Sequence, residues 1–388
     1  MKVVLSGMRP TGRMHVGHLK GVLENWVKLQ MDYKCYFEVA DWHALTDDPK
    51  RSGEILRNTL DMVKDWLAVG IDPERSVIFR QSLVPQHAEL HLIFSMLVSV
   101  NRLLRNPTFK EKVSEIRKKK SEIKLYLNLE NLSVEEEIGG ITEFIKREDK
   151  EKGEKLLRGM VGRIKEEVLE RISFSDFEDS LVPPEISYGF LGYPVLQASD
   201  ILVYKGELVP IGEDQLPHLE LCREIARDFN RTYGEVFPIP EPLLTEIPKI
   251  LGIDGRKMSK SYNNAIFISD TPEEITQKVK KSITDPMKIR KGDPGRPEIC
   301  PIFYLHKAFN PEGVQEVEED CRKGVLGCVE CKKRIAEKLS SSLELYRERA
   351  MRIPDDMVMD VILEGSRVAR EKAGETMEEV NRALWNGL

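Results

Sequence analysis

The stretch "KVVLSGMRPTGRMHVGHLKGVLENWV", residues 2–27, contains the pattern that decides the fold. Its first seven residues, "KVVLSGM", predict a short buried strand, and Pro10, Gly12 and Gly17 then mark a loop. From Leu19 the apolar residues recur at helical spacing. A strand followed by a loop and a helix is the repeating unit of a parallel sheet, whose ligands bind beyond the carboxyl ends of the strands. We therefore expect the chemistry of this protein in the first loop.

The alternation of strand and helix continues along the chain. The pattern predicts strands at 35–40, 76–82 and 207–212, and helices at 56–70, 88–104, 190–204 (opening near Pro194) and 217–230. It indicates an α/β fold, a Rossmann-like doubly wound parallel sheet, over residues 1–268. From Pro272 onward the patterns are helical, including 333–350 and 366–384. We therefore expect a C-terminal all-helical domain over residues 269–388.

A charged segment interrupts the α/β pattern at about residues 108–186. It is rich in Lys and Glu and poor in aromatic residues, with helix-like spacing in patches. We interpret the segment as a helical insertion in the α/β domain, and a disordered loop is the alternative.

Composition and charge narrow the class of protein. The 388 residues suffice for two or three domains, and the formal net charge of −6 argues against coating of nucleic acid by the whole surface, although it is compatible with a local basic face. The N-terminus has only three consecutive large apolar residues, and no apolar run approaches the ~18 residues that cross a bilayer. We expect neither a signal peptide nor a membrane anchor, and therefore a soluble cytoplasmic protein in which structural disulfides are rare.

Two histidines stand three residues apart in the first loop, in "PTGRMHVGH", residues 10–18. His15 and His18 lie where the strand gives way to the helix, and a helix N-terminus with two imidazoles suits the negative charge of a phosphate. Gly17 has no side chain, so a flat ring can pack against the backbone there. The pair alone is also compatible with chance or with half of a metal site.

The string "KMSKS", residues 257–261, places Lys257 and Lys260 in a loop preceded by glycine. Lysine is a mobile point charge that can swing onto a polyphosphate, although such a string in isolation is typical of a solvated loop. Together, "HVGH" and "KMSKS" resemble the HIGH and KMSKS signatures of class I aminoacyl-tRNA synthetases.

The resemblance narrows to the tryptophanyl-tRNA synthetase family. The strings "GMRPTGRMHVGHLKG", "VADWHAL", "VPIGEDQLPHLELCREIARDFN" and "DGRKMSKS" are similar to that family over most of the chain outside the charged insertion. The resemblance implies a Rossmann-like catalytic domain, a helical anticodon-binding domain and a homodimer. It also implies ATP with Mg²⁺, L-tryptophan and tRNA(Trp) as substrates and partners.

Position by position, the resemblance implies overlapping sets of site residues. The catalytic residues are His15, His18, Lys257 and Lys260. The residues that contact ATP are Arg9, Pro10, Thr11, Gly17, His18, Gly212, Glu213, Asp214, Ile250, Lys257, Met258, Ser259, Lys260 and Ser261. The residues that bind tryptophan are Gly7, Tyr193, Gln197, Asp200 and Gln215, with Asp200 accepting the indole N–H. Lys110, beside the insertion, aligns with a lysine that the family brings to ATP.

The sequence is compatible with two other functions. Many bacterial members carry methionine where Gln197 stands, and a Tyr193, Gln197 and Asp200 trio resembles the way tyrosyl-tRNA synthetases hold tyrosine. Asp200 accepts an indole N–H or a phenol O–H equally well, so it does not discriminate between the two amino acids. The second alternative is a non-catalytic tRNA-binding relative with a redox cluster, although both signature strings are intact.

Four of the six cysteines fall in one window, at Cys300, Cys321, Cys328 and Cys331, in the pattern C-x20-C-x6-C-x2-C. Four thiolates suit a structural zinc ion or a four-iron four-sulfur cluster, whereas cysteines packed as small apolar residues are the alternative. A thermophilic subset of the tryptophanyl family has a similar string around "GCVECKK", which implies the iron–sulfur cluster. We expect the metal centre to hold the helical domain together and to affect tRNA charging more than adenylate formation. The other two cysteines, Cys35 and Cys222, are expected in the core.

Overall fold

In the computed structural model the chain is built around a five-stranded parallel sheet with the strand order β3-β2-β1-β4-β5. The structure describes residues 1–47, 49–130, 183, 186–244, 250–290 and 292–385. The strands are β1 (Val3–Met8), β2 (Lys34–Val39), β3 (Ser76–Arg80), β4 (Leu208–Ile211) and β5 (Glu241–Leu244). Outward growth of the sheet from β1 in both directions is the doubly wound arrangement, so the predicted fold class is confirmed.

Helices make up most of the remaining described chain. They are α1 (Val16–His18), α2 (Glu24–Asp32), α3 (Asp41–Asp47), α4 (Ser52–Val69), α5 (Gln86–Ser95), α6 (Val100–Leu103), α7 (Pro107–Glu130), α8 (Tyr188–Leu202), α9 (Leu216–Tyr233), α10 (Pro272–Lys281), α11 (Pro301–Phe309), α12 (Val314–Arg322), α13 (Cys328–Met351) and α14 (Asp355–Trp385). A π-helical turn at Leu19–Leu23 joins α1 to α2, so the helix predicted from Leu19 is confirmed. None of the described helices combines the length and the apolar character needed to span a bilayer.

The described chain divides into two compact units, one of residues 1–99 with 192–388 and one of residues 100–191. The second unit contains the start of the charged insertion, which is helical in α7, while residues 131–182 lie outside the described part. The expected boundary between residues 268 and 269 stays a prediction.

The core of the first unit begins on β2, whose side chains alternate between the two faces of the sheet. Phe37 stacks on Trp26 with ring centroids 4.4 Å apart, and Trp66 meets Trp26 edge-on at 5.0 Å. On the opposite face Tyr36 stacks on Tyr204 at 4.7 Å. The apolar core continues without interruption into the C-terminal helices, through Ile335, Leu339, Leu343, Val358 and Ile362.

Several predicted boundaries were wrong. The helix expected over 88–104 ends at Ser95, whose hydroxyl donates to the carbonyl of Leu92 and competes with the helical hydrogen bonds. Pro194 lies inside α8 rather than near its start, and the last helix begins at Asp355, well before residue 366. Strand β5 was not predicted because its proline is typical of a loop, although an edge strand accepts proline.

Candidate active site

The two histidines of the first loop cap each other at the start of α1. The backbone N–H of His15 donates to Nδ1 of His18 at 3.2 Å, and the N–H of His18 donates to Nδ1 of His15 at 3.3 Å. Their rings stack with centroids 3.6 Å apart. Because each Nδ1 accepts a backbone proton, each neutral imidazole carries its own proton on Nε2. Both histidines can therefore donate an N–H to a phosphate oxygen.

Burial keeps this histidine pair uncharged at neutral pH. Burial and the nearby ammonium of Lys260 lower the pKa of His15 to about 4, and burial, His15 and Lys260 lower the pKa of His18 to about 2. A Cβ on Gly17 would lie 3.0 Å from the His15 ring, so glycine is needed where that ring packs against the backbone. The neutral pair can offer hydrogen bonds to a ligand, but it offers no imidazolium charge.

The lysine loop lies directly against the first loop. Nζ of Lys260 donates to the carbonyl of Gly12 at 2.6 Å, across 248 residues of sequence. Two backbone hydrogen bonds of 2.9 Å join residues 14–16 to residues 266–268 and fix this contact. The two signature strings therefore form one site.

Asn264 organises the lysine loop from a buried position just outside the string. Its Oδ1 accepts the N–H of Ser259 at 2.8 Å, and its Nδ2 donates to the carbonyl of Lys257 at 3.1 Å and to the carboxylate of Asp254 at 2.7 Å. A Cβ on Gly252 would clash with the Asn264 side chain. These contacts leave the Lys257 side chain exposed to solvent.

A buried carboxylate, Asp65, lies beneath the junction of the two loops. It accepts the N–H of Met14 at 3.1 Å, and burial raises its pKa to about 6. Burial also lowers the pKa of Lys260 to about 8, while Asp65 acts in the opposite direction. Asp65 therefore favours the charged form of Lys260 against the effect of burial.

Asp200 is the centre of a buried hydrogen-bond network on the other side of β1. One carboxylate oxygen accepts from Nε2 of Gln81 at 2.8 Å and from Nδ1 of His87 at 2.6 Å, and the other accepts from Nε2 of His43 at 2.8 Å. Burial by itself would raise the pKa of Asp200, but the hydrogen bonds from His43 and His87 hold it well below its usual value. An ionised carboxylate accepts about four hydrogen bonds, so one acceptor position remains.

Glu38 is a second carboxyl group on the same face of the sheet, opposite Gly7 in the β1–β2 register. Its Oε1 lies 3.8 Å from Nδ1 of His87 and has no hydrogen-bond partner among the described residues. Burial, with Asp200 and Asp41 nearby, raises its pKa well above the usual value, so Glu38 is a neutral acid. Although Glu38, His87 and Asp200 could together hold a metal ion, three protein donors already occupy Asp200. We interpret the group as a proton-sharing network.

Tyr193 connects this network to the turn after β4. Its hydroxyl donates to Nε2 of His218 at 2.9 Å, and Nδ1 of His218 donates to Oε1 of Gln215 at 2.9 Å. The Tyr193 ring also meets His43 edge-on, with centroids 6.2 Å apart. Gln197 is half-buried on α8, one turn before Asp200. The predicted amino-acid site residues thus lie together.

The chain is similar to known proteins over most of its length. The profile of the family "tRNA synthetases class I (W and Y)" matches residues 1–129 and 157–344. A tryptophan–tRNA ligase of Aquifex aeolicus is 50% identical over 98% of this chain and 99% of its own. The chain belongs to the tryptophan–tRNA ligase family of class I synthetases.

Further members of the tryptophan–tRNA ligase family agree in sequence and fold. The ligase of Thermotoga maritima is 44% identical over 98% of each chain. The crystal structure of tryptophanyl-tRNA synthetase from Campylobacter jejuni, complexed with ADP and tryptophan, superposes with a TM-score of 0.73 at 26% identity, covering 99% of each chain.

Sequence reasoning missed three residues that surround Asp200 in this structure, His43, Gln81 and His87. His43 lies in "VADWHAL", a string that carried the resemblance but was given no role, and Gln81 and His87 follow β3 without any motif. The three reach Asp200 across more than 100 residues of sequence. Among the predicted ATP residues, Glu213 and Asp214 form a 3₁₀ turn directly after β4. Lys110 lies in the second compact unit.

The four clustered cysteines lie at the ends of three helices. Cys300 is the residue before α11, Cys321 is in the last turn of α12, and Cys328 and Cys331 are in the first turn of α13. Burial and the other three cysteines raise the pKa of Cys331 to about 12. A small apolar cluster of Phe303, Val317 and Leu326 packs beneath Cys300 and Cys331.

The loop before α11 covers one side of these cysteines. The N–H of Gly295 donates to the carbonyl of Cys321 at 2.8 Å, and a Cβ at this glycine would lie 2.6 Å from the Cys321 sulfur. Nζ of Lys288 donates to the same carbonyl at 3.2 Å. Cys35 and Cys222 are both buried in the core, as predicted.

Proposed function

We propose that the protein attaches L-tryptophan to tRNA(Trp) in two steps that consume ATP. The tryptophan carboxylate attacks the α-phosphorus of ATP and releases pyrophosphate, which leaves tryptophanyl-adenylate. The terminal ribose hydroxyl of the tRNA then attacks the acyl carbon and releases AMP. The observation that carries this proposal is the contact of Lys260 with Gly12, because it brings both phosphate-binding strings into one site.

Positioning and charge stabilisation account for the first step. We assign the Nε2–H groups of His15 and His18 to the α-phosphate oxygens, and Lys257 and Lys260 to the departing pyrophosphate. Mg²⁺, when bound with ATP, would neutralise part of the phosphate charge. Lys260 must leave the Gly12 carbonyl to do so, and its charge is then used mainly in the transition state. Six further predicted ATP residues, from Arg9 to Thr11 and from Gly212 to Asp214, follow the ends of β1 and β4.

We assign the remaining acceptor position of Asp200 to the indole N–H of tryptophan. His43, Gln81 and His87 fix the carboxylate so that it stays ionised and correctly oriented. Gly7, Tyr193, Gln197 and Gln215 complete the proposed amino-acid site.

The proposal predicts ATP–pyrophosphate exchange that depends on tryptophan. Exchange should be measured with each of the twenty amino acids, in the presence and absence of tRNA. Stimulation by tyrosine alone would transfer the assignment to tyrosyl-tRNA synthesis, because Asp200 can also accept a phenol O–H. No stimulation by any amino acid would favour a non-catalytic tRNA-binding protein.

We propose in addition that Cys300, Cys321, Cys328 and Cys331 ligate a four-iron four-sulfur cluster, with zinc as the alternative. Three of these thiols lie at the N-termini of two helices, Cys300 before α11 and Cys328 with Cys331 in the first turn of α13. The resemblance of the string around "GCVECKK" to that of the thermophilic subset favours the iron–sulfur cluster over zinc.

We extend the proposal to the oligomeric state and the cellular compartment of the protein. We propose a homodimer, supported by Leu92 and Met96, two large apolar side chains that are 58% and 75% exposed one turn apart on and just after α5. We propose that the protein acts in the cytoplasm, since all six cysteines are free thiols. The helical region 269–388 is the proposed anticodon-binding domain.

A further inference from the structure

A buried histidine lies against one of the four clustered cysteines. His306 is on α11 and is 0% exposed. Its Nε2 lies 3.5 Å from the sulfur of Cys331 and 3.3 Å from the carbonyl oxygen of the same residue. The ring therefore contacts a proposed ligand from the protein side of the centre.

Two neighbours determine which nitrogen of His306 carries the proton. The carbonyl oxygen of Cys331 can only accept a hydrogen bond, so Nε2 must be protonated. On the other side of the ring, the amide Nδ2 of Asn310 donates to Nδ1 at 3.1 Å, which requires a lone pair on Nδ1. Both contacts place a proton on Nε2, which also lies 3.5 Å from the Cys331 sulfur.

We propose that His306 donates a hydrogen bond from Nε2 to the sulfur of Cys331 and thereby raises the reduction potential of the metal centre. This inference rests on the proposed iron–sulfur cluster. One-electron reduction adds negative charge that spreads onto the ligand sulfurs, and an N–H donor stabilises the reduced form more than the oxidised form. The effect is strengthened by burial, because the hydrogen bond lies in a region of low dielectric constant. His306 is a positioning and tuning residue, since it does not bind the metal.

Redox titration of the anaerobically purified full-length protein, followed by EPR of the reduced cluster, tests the proposal. His306→Leu removes the donor, whereas His306→Gln keeps an N–H near the position of Nε2. At the midpoint potential of the wild-type protein, we expect the ratio of reduced to oxidised cluster to fall about tenfold in His306→Leu, a shift of about 59 mV for one electron. His306→Gln should retain most of the wild-type potential.

Tyr304→Phe, on the same helix as His306, is the matched control, because it removes a 3.0 Å hydrogen bond from the Tyr304 hydroxyl to the carbonyl of Glu298 in the turn before that helix. Its potential should equal that of the wild type. An unchanged potential in His306→Leu, or equal shifts in the Leu and Gln variants, would overturn the proposal while leaving the cluster in place. A wild-type protein that contains zinc and no iron would overturn both the cluster and this inference.

A second measurement on the wild-type protein covers the case in which His306→Leu does not fold. Protein labelled with ¹⁵N-histidine should show a weak ¹⁵N hyperfine coupling to the reduced cluster in pulsed EPR, transmitted through the N–H···S contact. Such a coupling supports the hydrogen bond. Its absence in a protein with a fully reduced cluster would contradict it.

Discussion

Lys260 is the residue at which the two signature strings meet, and it is partly buried against Gly12. Lys260→Ala should slow adenylate formation by roughly 10²–10³-fold with little change in tryptophan affinity, because the ammonium stabilises charge that develops in the transition state. Single-turnover rates and equilibrium binding of tryptophan measure the two effects separately. Lys323→Ala, which breaks an exposed ion pair with Glu319, is the control and should leave both unchanged. Weakened tryptophan binding with an unchanged rate would contradict this role for Lys260.

Asp200 has a structural role beside its proposed role in tryptophan binding. Asp200→Ala would leave three buried donors without an acceptor, at about 1–3 kcal/mol each, so the variant should be destabilised as well as deficient in binding. Asp200→Asn keeps the shape of the side chain, but its amide N–H₂ would face a protein donor from which the Asp200 oxygen now accepts. This variant should bind tryptophan at least tenfold more weakly. Gln197→Met should be better tolerated than either.

Calorimetric titration with tryptophan, together with thermal unfolding, separates the two roles of Asp200. Equal and severe losses of tryptophan affinity in Gln197→Met and Asp200→Asn would indicate the arrangement of a tyrosyl-tRNA synthetase instead.

At the scale of elements, α14 packs on the edge strand β3 and makes hydrogen bonds to the residues at the end of that strand and just after it. The hydroxyl of Ser366 accepts the N–H of Arg80 at 3.2 Å, and Nε of Arg370 donates to the carbonyl of Leu83 at 3.1 Å. Gln81, which donates to Asp200, lies between these two anchor points. The C-terminal helix therefore positions part of the amino-acid site, although it lies at the far end of the sequence.

Gly365 is the point of closest approach between α14 and β3, and a Cβ there would clash with the backbone of Ile78. Gly365→Ala should push the helix from the strand, lower the melting temperature and weaken tryptophan binding through Gln81. Gly374→Ala is the matched control on the same helix, because a Cβ there meets nothing within 4 Å. This control should be neutral or stabilising by up to about 1 kcal/mol. Tryptophan binding that is identical in the two variants would show that α14 does not position the site.

At the scale of the whole first unit, one hydrophobic core connects the sheet with the C-terminal helices. The core contains Trp26 and Phe37 beside β1 and β2, and Leu339 and Val358 on α13 and α14. Unfolding of the helical region would therefore expose apolar surface of the sheet as well. Loss of adenylate formation and loss of tRNA charging should occur in a single thermal transition of this unit.

The proposed metal centre should contribute to the stability of this core. Protein purified without oxygen should contain about four irons and four acid-labile sulfides per chain. Cys328→Ser should lose iron and melt lower, by about 2–4 °C for each kcal/mol lost, because ligation contributes directly to folding. Well below the melting temperature it should charge tRNA poorly while it still forms adenylate. Cys222→Ala, at a buried cysteine outside the cluster, should keep its iron. Full-length protein with four titratable thiols and no bound metal would refute the metal centre.

The sequence by itself determined the features that depend on local spacing. A parallel α/β unit is specified by the strand-like segment 2–8, the glycine-bearing loop and the helical spacing of apolar residues after it. The sequence shows this because apolar residues repeat with different periods in strands and helices. The two signature strings and the cysteine pattern were visible for the same reason, since each is a short segment whose chemistry follows from its residue types.

Only the tertiary structure decided which distant residues meet. Gln81 and His87 contact Asp200 because β3, β2 and β1 stand side by side, and Lys260 reaches Gly12 because residues 266–268 pair with the first loop. The order of strands and the packing of α14 on β3 depend on burial summed over the whole core, which no local pattern contains. The tautomer of His306 was hidden for the same reason, since Asn310 and Cys331 become its neighbours only when α11 packs against α13.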